Sequence, residues 1–541
     1  MTQLLENIRG PQDLQTLSLS QLRQLAHEIR QRIIAVVSKN GGHLASNLGV
    51  TELTIALHYC FDFSTDRLLW DVGHQCYPHK LLTGRNARFD TLRQTGGISG
   101  FPSRHESPYD LFDVGHAGTA IPTAVGLARG DQLLGRNVRV VAVVGDASIV
   151  NGLAFEGLNQ AGTLKRQLLI ILNDNSMGIA PTQGALAEYL AKFRVSTLYE
   201  EVKAHVKALL PRVPLVGKGV YEALDHLKDR IKATVSPHQI FEQLGLLYVG
   251  PTDGHDLAHL IELLQLLKDV QQPVLLHLHT QKGRGCEWAC ADPTSFHSPS
   301  PFVITNGKVA PAHEQGKSWT DAFADALLEL AQQNEKIVAL TAAMPDGTGL
   351  RKFAQRYPHR FLDCGIAESC TVDVAAGLAR AGLRPVVAIY STFAQRAFDQ
   401  IYQELVLQHL PVVLCLDRAG LVGGDGAVHH GFLDITYLRC MPGMVLMAPA
   451  DEYEIKAALE LALTLPGPSA IRYPRDRLPA PLAQAAPFRL GQSRTLRLGS
   501  SATILTYGAV TASALEVAEL LAAEGIDLAV INARFAKPLD K

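Results

Sequence analysis

No Cys-x-x-Cys pair occurs among the 8 cysteines of this 541-residue sequence. Cys286 and Cys290 lie nearest each other, and no further Cys or His set surrounds them at zinc-ligand spacing. The thiols are therefore expected to be reduced, mostly small core residues of a cytoplasmic protein. An excess of one charge is missing too. Lys+Arg number 50 against 52 Asp+Glu, a formal net charge of -2, so no basic field points to nucleic acid or an acidic membrane. No apolar run approaches the ~18–20 residues that span a bilayer. The stretch Met1 to Arg9 carries no apolar secretory core.

What is present suits buried cores: 47% hydrophobic and 19% charged residues, at a length that suggests about three or four domains. Ser18 and Gln21 suit a capping box, and Leu22, Leu25, Ile29 and Ile33 recur at helical spacing before Asn40, Gly41 and Gly42. Apolar runs at 138–144 and 168–172 end in Gly145-Asp146 and Asn173-Asp174-Asn175. Helix-like stretches alternate with such runs, which predicts an α/β fold with mostly parallel sheets and ligands beyond the carboxyl ends of the strands. The division expected is a first domain over 1–310 with a helical insertion at about 182–245, a second over 318–477, and a third over 494–541. Linkers are expected at 298–317 and 478–487. Strands are expected at 385–390, 411–416, 502–507 and 527–532, with a helix at 510–523.

Asp146 and Asn175 close neighbouring apolar runs. A carboxylate and an amide oxygen at adjacent strand ends, with a backbone carbonyl near Met177, suit magnesium, whose remaining octahedral oxygens a diphosphate can supply. Two ordinary strand-end turns would use the same residue types. Gly-Asp followed about 30 residues later by Asn is also a signature of thiamine-diphosphate enzymes.

Longer stretches carry a closer resemblance. Gly41 to Asn47, Trp70 to Lys80, Gly250 to Asp256, Ala388 to Phe393, Asp417 to Gly420 and Arg472 to Arg475 run in order along nearly the whole chain. They resemble the 1-deoxy-D-xylulose-5-phosphate synthase family. The resemblance implies three transketolase-like domains, thiamine diphosphate and Mg2+ as cofactors, and a homodimer whose active site lies between the first and second domains. It implies decarboxylating condensation of pyruvate with D-glyceraldehyde 3-phosphate, feeding isoprenoid, thiamine and pyridoxal synthesis. On it, Glu368 is the acid at the cofactor's pyrimidine, Phe393 the ring stacked on that pyrimidine, and His43, His74 and His429 the proton-handling histidines. Gly115, His116, Ala147, Asn175 and Lys282 line the cofactor, and Asp146, Asn175 and Met177 hold the metal. Tyr390, Arg396, Asp425, His429 and Arg475 meet the acceptor, and His297 resembles a further active-site histidine.

Four departures from the family pattern stand out. Ala147 replaces Gly, which would cost ~1 kcal/mol if the backbone there needs a positive φ. Ala117 and Gly118 replace two hydroxyl residues, leaving backbone amides to meet the diphosphate. Ser369 and Cys370 replace Gln-His after Glu368. Ser298 replaces Gly after His297. These changes leave room for a transketolase-like paralogue with another ketose or aldehyde, or for a non-catalytic relative. The segment from 494 is short for a complete third domain, so Lys541 reads as a premature end, with an unpaired sheet edge and a thinly covered apolar face expected.

Overall fold

Ser18 caps the first long helix. The Gln21 side-chain oxygen accepts the Ser18 N–H at 2.9 Å, and the helix runs Leu19–Asn40, burying Leu22, Leu25, Ile29 and Ile33 along one face. Gly41, at φ +71°, ends it. This computed structural model describes residues 3–178, 184–185, 239–305, 308–312, 316–482 and 486–541. They fall into two units, Met1–His313 and Glu314–Lys541.

The first unit is built on five parallel strands, β1 (Arg67–Trp70), β2 (Val140–Gly145), β3 (Leu168–Asp174), β4 (Leu247–Asp253) and β5 (Pro273–His279), in the order β1-β2-β3-β5-β4. Alternate residues serve opposite faces. Val141, Val143, Leu169 and Ile171 pack with the helices Leu19–Asn40, Thr51–Cys60 and Leu257–Leu267. Val140, Ala142, Val144, Leu168 and Ile170 pack with the helices Ala120–Leu133 and Gly152–Ala161. A sheet covered on both sides needs continuous apolar runs, and that is why β2 and β3 stand out in the sequence. Most of the insertion expected at 182–245 lies outside the described residues. The stretch expected as a linker, 298–317, contains the division between the two units, and before it a hairpin, β6 (Phe302–Thr305) with β7 (Lys308–Pro311), whose Phe302 is buried in the first unit's core.

The second unit holds β8 (Ile337–Thr341), β9 (Phe361–Asp363), β10 (Arg384–Tyr390), β11 (Val413–Asp417), β12 (Val445–Met447), β13 (Ser469–Arg472), β14 (Arg494–Arg497), β15 (Ala502–Thr506), β16 (Leu528–Asn532) and β17 (Phe535–Lys537). The large sheet runs β17-β12-β13-β11-β10-β8-β9, and β14-β16-β15 form a small one. β17 pairs antiparallel with β12, so the last strand belongs to the larger sheet. Glu454 fastens this end of the chain, accepting from Asn532 at 2.9 Å and from Arg534 at 2.8 Å. β15 is an edge strand, and Leu498, Leu505 and Leu520 are exposed on or beside the small sheet. Among the described residues no helix is long and apolar enough to cross a membrane.

Candidate functional site

In each unit, candidate site residues fall at the carboxyl ends of strands. In the first, the register opposes Gly145 to Asn173, which brings the turns after β2 and β3 side by side. Asp146 follows β2 and is 2% exposed. Asn175 follows β3, and its Oδ1 accepts the Met177 N–H at 3.2 Å. Thr280 Oγ1 and Gln75 bind the Asn173 amide between them, at 2.6 and 3.0 Å. Ala147 lies in the short helix Asp146–Ile149 and is not among the residues with positive φ. The strain expected of this substitution is therefore absent. Lys282, buried on the turn after β5, donates to the Gly178 carbonyl at 2.5 Å. Burial lowers its pKa to about 8, against the opposing pull of Asp146.

Three of the expected histidines meet here. Ring centroids are 5.6 Å apart for His43–His74, 5.5 Å for His43–His297 and 5.3 Å for His74–His297. Burial, then the nearby Lys282, holds His74 at about 3, and burial with Lys282 and the neighbouring histidines keeps His297 well below the usual range. These are neutral imidazoles at pH 7, able to accept or pass a proton without carrying charge. His74 Nδ1 is buried with no hydrogen-bond partner among the described residues.

Gly115 and His116 stand on the turn before the helix Ala120–Leu133. Of the amides expected to serve a diphosphate there, the structure shows that of Gly118 engaged within the chain, together with that of Ala120. Gly118 and Ala120 donate to the two carboxylate oxygens of Asp71, at 2.9 and 3.0 Å. A carboxylate of the chain itself already occupies this helix start.

The second unit brings Glu368 to the first position of the helix Glu368–Arg380, 4% exposed. Burial raises its pKa, with Arg396 opposing. Its Oε2 has no hydrogen-bond partner among the described residues, and Arg396 Nη1 stands 4.0 Å away. Ser369 Oγ donates to the Arg396 carbonyl at 2.9 Å, so the serine that follows the acid ties the two segments together. Tyr390 stacks on Phe393 at 5.5 Å, and Phe393 meets His429 edge-on at 5.5 Å. Arg475 donates to Asp425 at 2.7 Å.

Two findings were not anticipated. Arg418 lies over the Tyr390 ring at 4.2 Å, with φ +60° and ion-paired to Asp417 at 2.8 Å. Only its place in the stretch Asp417 to Gly420 marked it. Asp174, His277 and His279 hold ligand-type atoms within 4.8 Å of one another. His277, however, uses both nitrogens, on Tyr248 at 2.7 Å and Asp174 at 3.0 Å, so this cluster is a hydrogen-bonded floor beneath the strand ends.

The family described as 1-deoxy-D-xylulose-5-phosphate synthase matches residues 5–280. The pyrimidine binding domain of transketolase matches 315–481, and the transketolase C-terminal domain 491–541. 1-Deoxy-D-xylulose-5-phosphate synthase 1 of Geobacter sulfurreducens is 48% identical over 100% of this chain and 85% of its own. The 1-deoxy-D-xylulose-5-phosphate synthase of Thermomicrobium roseum is 50% identical over 99% of this chain and 85% of its own. A solved split-gene transketolase, an inactive beta4 tetramer, is 35% identical over 42% of this chain and 74% of its own, with a TM-score of 0.39. The first match covers more than half of the chain and the relatives span nearly all of it, and the chain belongs to the 1-deoxy-D-xylulose-5-phosphate synthase family.

Proposed function

We infer that this chain is a thiamine-diphosphate- and magnesium-dependent transferase that joins pyruvate to D-glyceraldehyde 3-phosphate, with loss of carbon dioxide, to give 1-deoxy-D-xylulose 5-phosphate. The observation that carries the reading is Glu368. It is a buried carboxyl with a raised pKa and an oxygen without a hydrogen-bond partner among the described residues, as an acid that serves a ring nitrogen requires. The rest of the donor set also fits the cofactor. Asp146, Asn175 and the Met177 carbonyl are oxygen donors suited to magnesium, and Lys282 is a buried cation suited to a diphosphate.

Thiamine diphosphate, when bound, supplies a carbon acid whose conjugate base adds to a ketone carbonyl. Glu368, whose pKa burial raises, would face a pyrimidine nitrogen with its carboxyl, beside the Phe393 ring. His74, held neutral by burial and by the nearby Lys282, polarises or protonates a carbonyl oxygen without a fixed charge, and the buried His43 stands beside it. Tyr390, Asp425 and His429 orient the aldehyde and its hydroxyl. Arg475 and Arg396 are guanidiniums for its phosphate. A homodimer and a cytoplasmic location belong to the same reading. The test is to incubate the protein with thiamine diphosphate, magnesium, pyruvate and D-glyceraldehyde 3-phosphate and identify the product by mass spectrometry. 1-Deoxy-D-xylulose 5-phosphate is expected. Product formed only from a ketose donor would reassign the chain to another transketolase-like reaction, and no turnover with cofactor bound would remove the enzymatic reading.

A further inference from the structure

His255 lies in the stretch Gly250 to Asp256, which the chemistry above leaves without a role. Its loop is rigidly built. The His255 N–H donates to Asp253 Oδ1 at 2.8 Å, and Asp256 caps the helix Leu257–Leu267 through the His259 N–H. The Gly254 N–H donates to the His279 carbonyl at 2.7 Å, which fastens the loop to the end of β5. The imidazole then spans two segments distant in sequence. Its Nδ1 lies 3.0 Å from Glu52 Oε2, and its Nε2 accepts the Gln281 N–H at 2.8 Å. A nitrogen that accepts carries no proton, so the proton sits on Nδ1 and faces the carboxylate. One tautomer satisfies both partners.

Glu52 is held in turn by Arg30, whose Nη1 and Nη2 donate to its two oxygens at 2.6 Å each. The same guanidinium donates from Nε and Nη2 to the Leu48 carbonyl, at 3.1 and 3.0 Å. Leu48 belongs to the turn of helix Ala45–Gly49, which begins two residues after His43. The Gly283 N–H donates to the Ala45 carbonyl at 2.8 Å. A Cβ on Gly49 would stand 3.0 Å from the Gln281 carbonyl, so the two turns are pressed backbone to backbone. Arg30, Glu52 and His255 thus grip the turn that follows His43 and the turn that carries Lys282.

We propose that His255 is a positioning residue, and that the Arg30–Glu52–His255 chain clamps the Gln281–Lys282 turn against the Ala45–Gly49 turn so that Lys282 and His43 share one fixed arrangement. The chain meets none of the reacting atoms; it acts through the two turns. This rests on the reading of Lys282 as a cofactor-side residue, and the test separates the two.

Hydrogen exchange read by mass spectrometry on cofactor-free protein follows the Gln281 amide directly. His255→Ala is expected to speed exchange in the peptide around Gln281 by on the order of tenfold or more, while peptides from β2 and β3 keep the wild-type rate. His255→Gln, whose side-chain oxygen can still accept the Gln281 N–H, is expected to recover most of the protection. Calorimetry with thiamine diphosphate and magnesium should show a Kd raised on the order of tenfold in His255→Ala, with kcat at saturating cofactor changed much less. Unchanged exchange at Gln281 in His255→Ala overturns the clamp. So does loss of protection spread evenly over the first unit, which is the mark of a merely structural residue. If Lys282→Ala leaves the Kd unchanged, the reading of Lys282 fails and the clamp is decided by the exchange pattern alone. If Lys282→Ala weakens binding but His255→Ala does not, the clamp is overturned.

Discussion

Glu368 is pulled two ways. At the first position of a helix the dipole favours the carboxylate, worth about 0.3–1 kcal/mol at an exposed site. Burial favours the neutral acid, and burial prevails, because the pKa is raised despite Arg396. Glu368→Gln removes the proton exchange and keeps the shape. It is expected to lower kcat by roughly 10²–10⁴-fold while calorimetry finds the affinity for thiamine diphosphate little changed. Near-normal turnover would remove Glu368 from the mechanism. The two arginines read alike in sequence, yet their neighbours differ. Arg475 pairs with Asp425, whereas Arg396 stands 4.0 Å from Glu368. Arg475→Ala should raise the KM for D-glyceraldehyde 3-phosphate by about 10-fold or more and leave that for pyruvate nearly unchanged. Arg396→Ala should also move the kcat–pH profile to higher pH, since Glu368 loses the cation that opposes its protonation. Steady-state kinetics in both substrates decide between these patterns, and equal effects on both KM values would count against a phosphate role for Arg475. Arg418 shows the limit of reading single residues. One arginine after an apolar run resembles a solvated charge, and only the fold reveals that it covers Tyr390. The contact of Glu52 with His255 was equally hidden, since 203 residues separate them.

At the scale of elements, most strands legible in the sequence have much to bury, although β15, expected at 502–507, is a largely exposed edge strand. β2, β3, β10 and β11 are central in their sheets, so they read as apolar runs. β9, β12 and β17 are three residues each, too short to show a period and held by their neighbours. Expectations about turns failed where tertiary partners decide. The turn before helix Ala120–Leu133 looks from sequence like an anion site, but Asp71 has taken the amides of Gly118 and Ala120. Gly118 there has φ +84°, and a Cβ would lie 2.4 Å from Asn151 Oδ1. Asn151 Oδ1 accepts the Leu153 N–H at 3.0 Å, capping the next helix. Gly118→Ser, which restores a hydroxyl typical of the family, therefore combines backbone strain with loss of a cap. It should cost about 1–3 kcal/mol in urea denaturation and bring no gain in cofactor affinity. Unchanged stability with tighter cofactor binding would show that the turn can rearrange to use the hydroxyl.

Across the whole molecule, the two units are expected to respond oppositely to acid. The first buries His58 and His79 and half-buries His74 and His297, all with lowered pKa, desolvation being the leading cause in each. In the unfolded chain such histidines take up a proton near pH 6.5. Below that pH the unfolded state binds more protons, so stability falls as pH falls, by up to about 1.4 kcal/mol per pH unit for each such group until its folded pKa is reached. Glu52 adds to this at lower pH. Burial raises its pKa, but hydrogen bonds from His255 and Arg30 outweigh that and hold it at about 2. Its contribution is present above the unfolded value and is lost as pH falls from there toward 2. The second unit behaves differently. Asp363 and Glu368 are raised by burial. Their folded forms bind protons first, so acidification toward the ordinary carboxylate range stabilises that unit. Between pH 7.5 and 5.5 the first unit should therefore lose stability while the second holds or gains. Urea denaturation read by pulsed hydrogen exchange reports the units separately, with peptides from β2 and β3 for one and from β10 and β11 for the other. The midpoint of the first set is expected to move to lower urea and that of the second to stay or rise. Equal downward shifts in both sets would show that the buried histidines of the first unit do not govern its acid response separately, and that the molecule unfolds as one cooperative body.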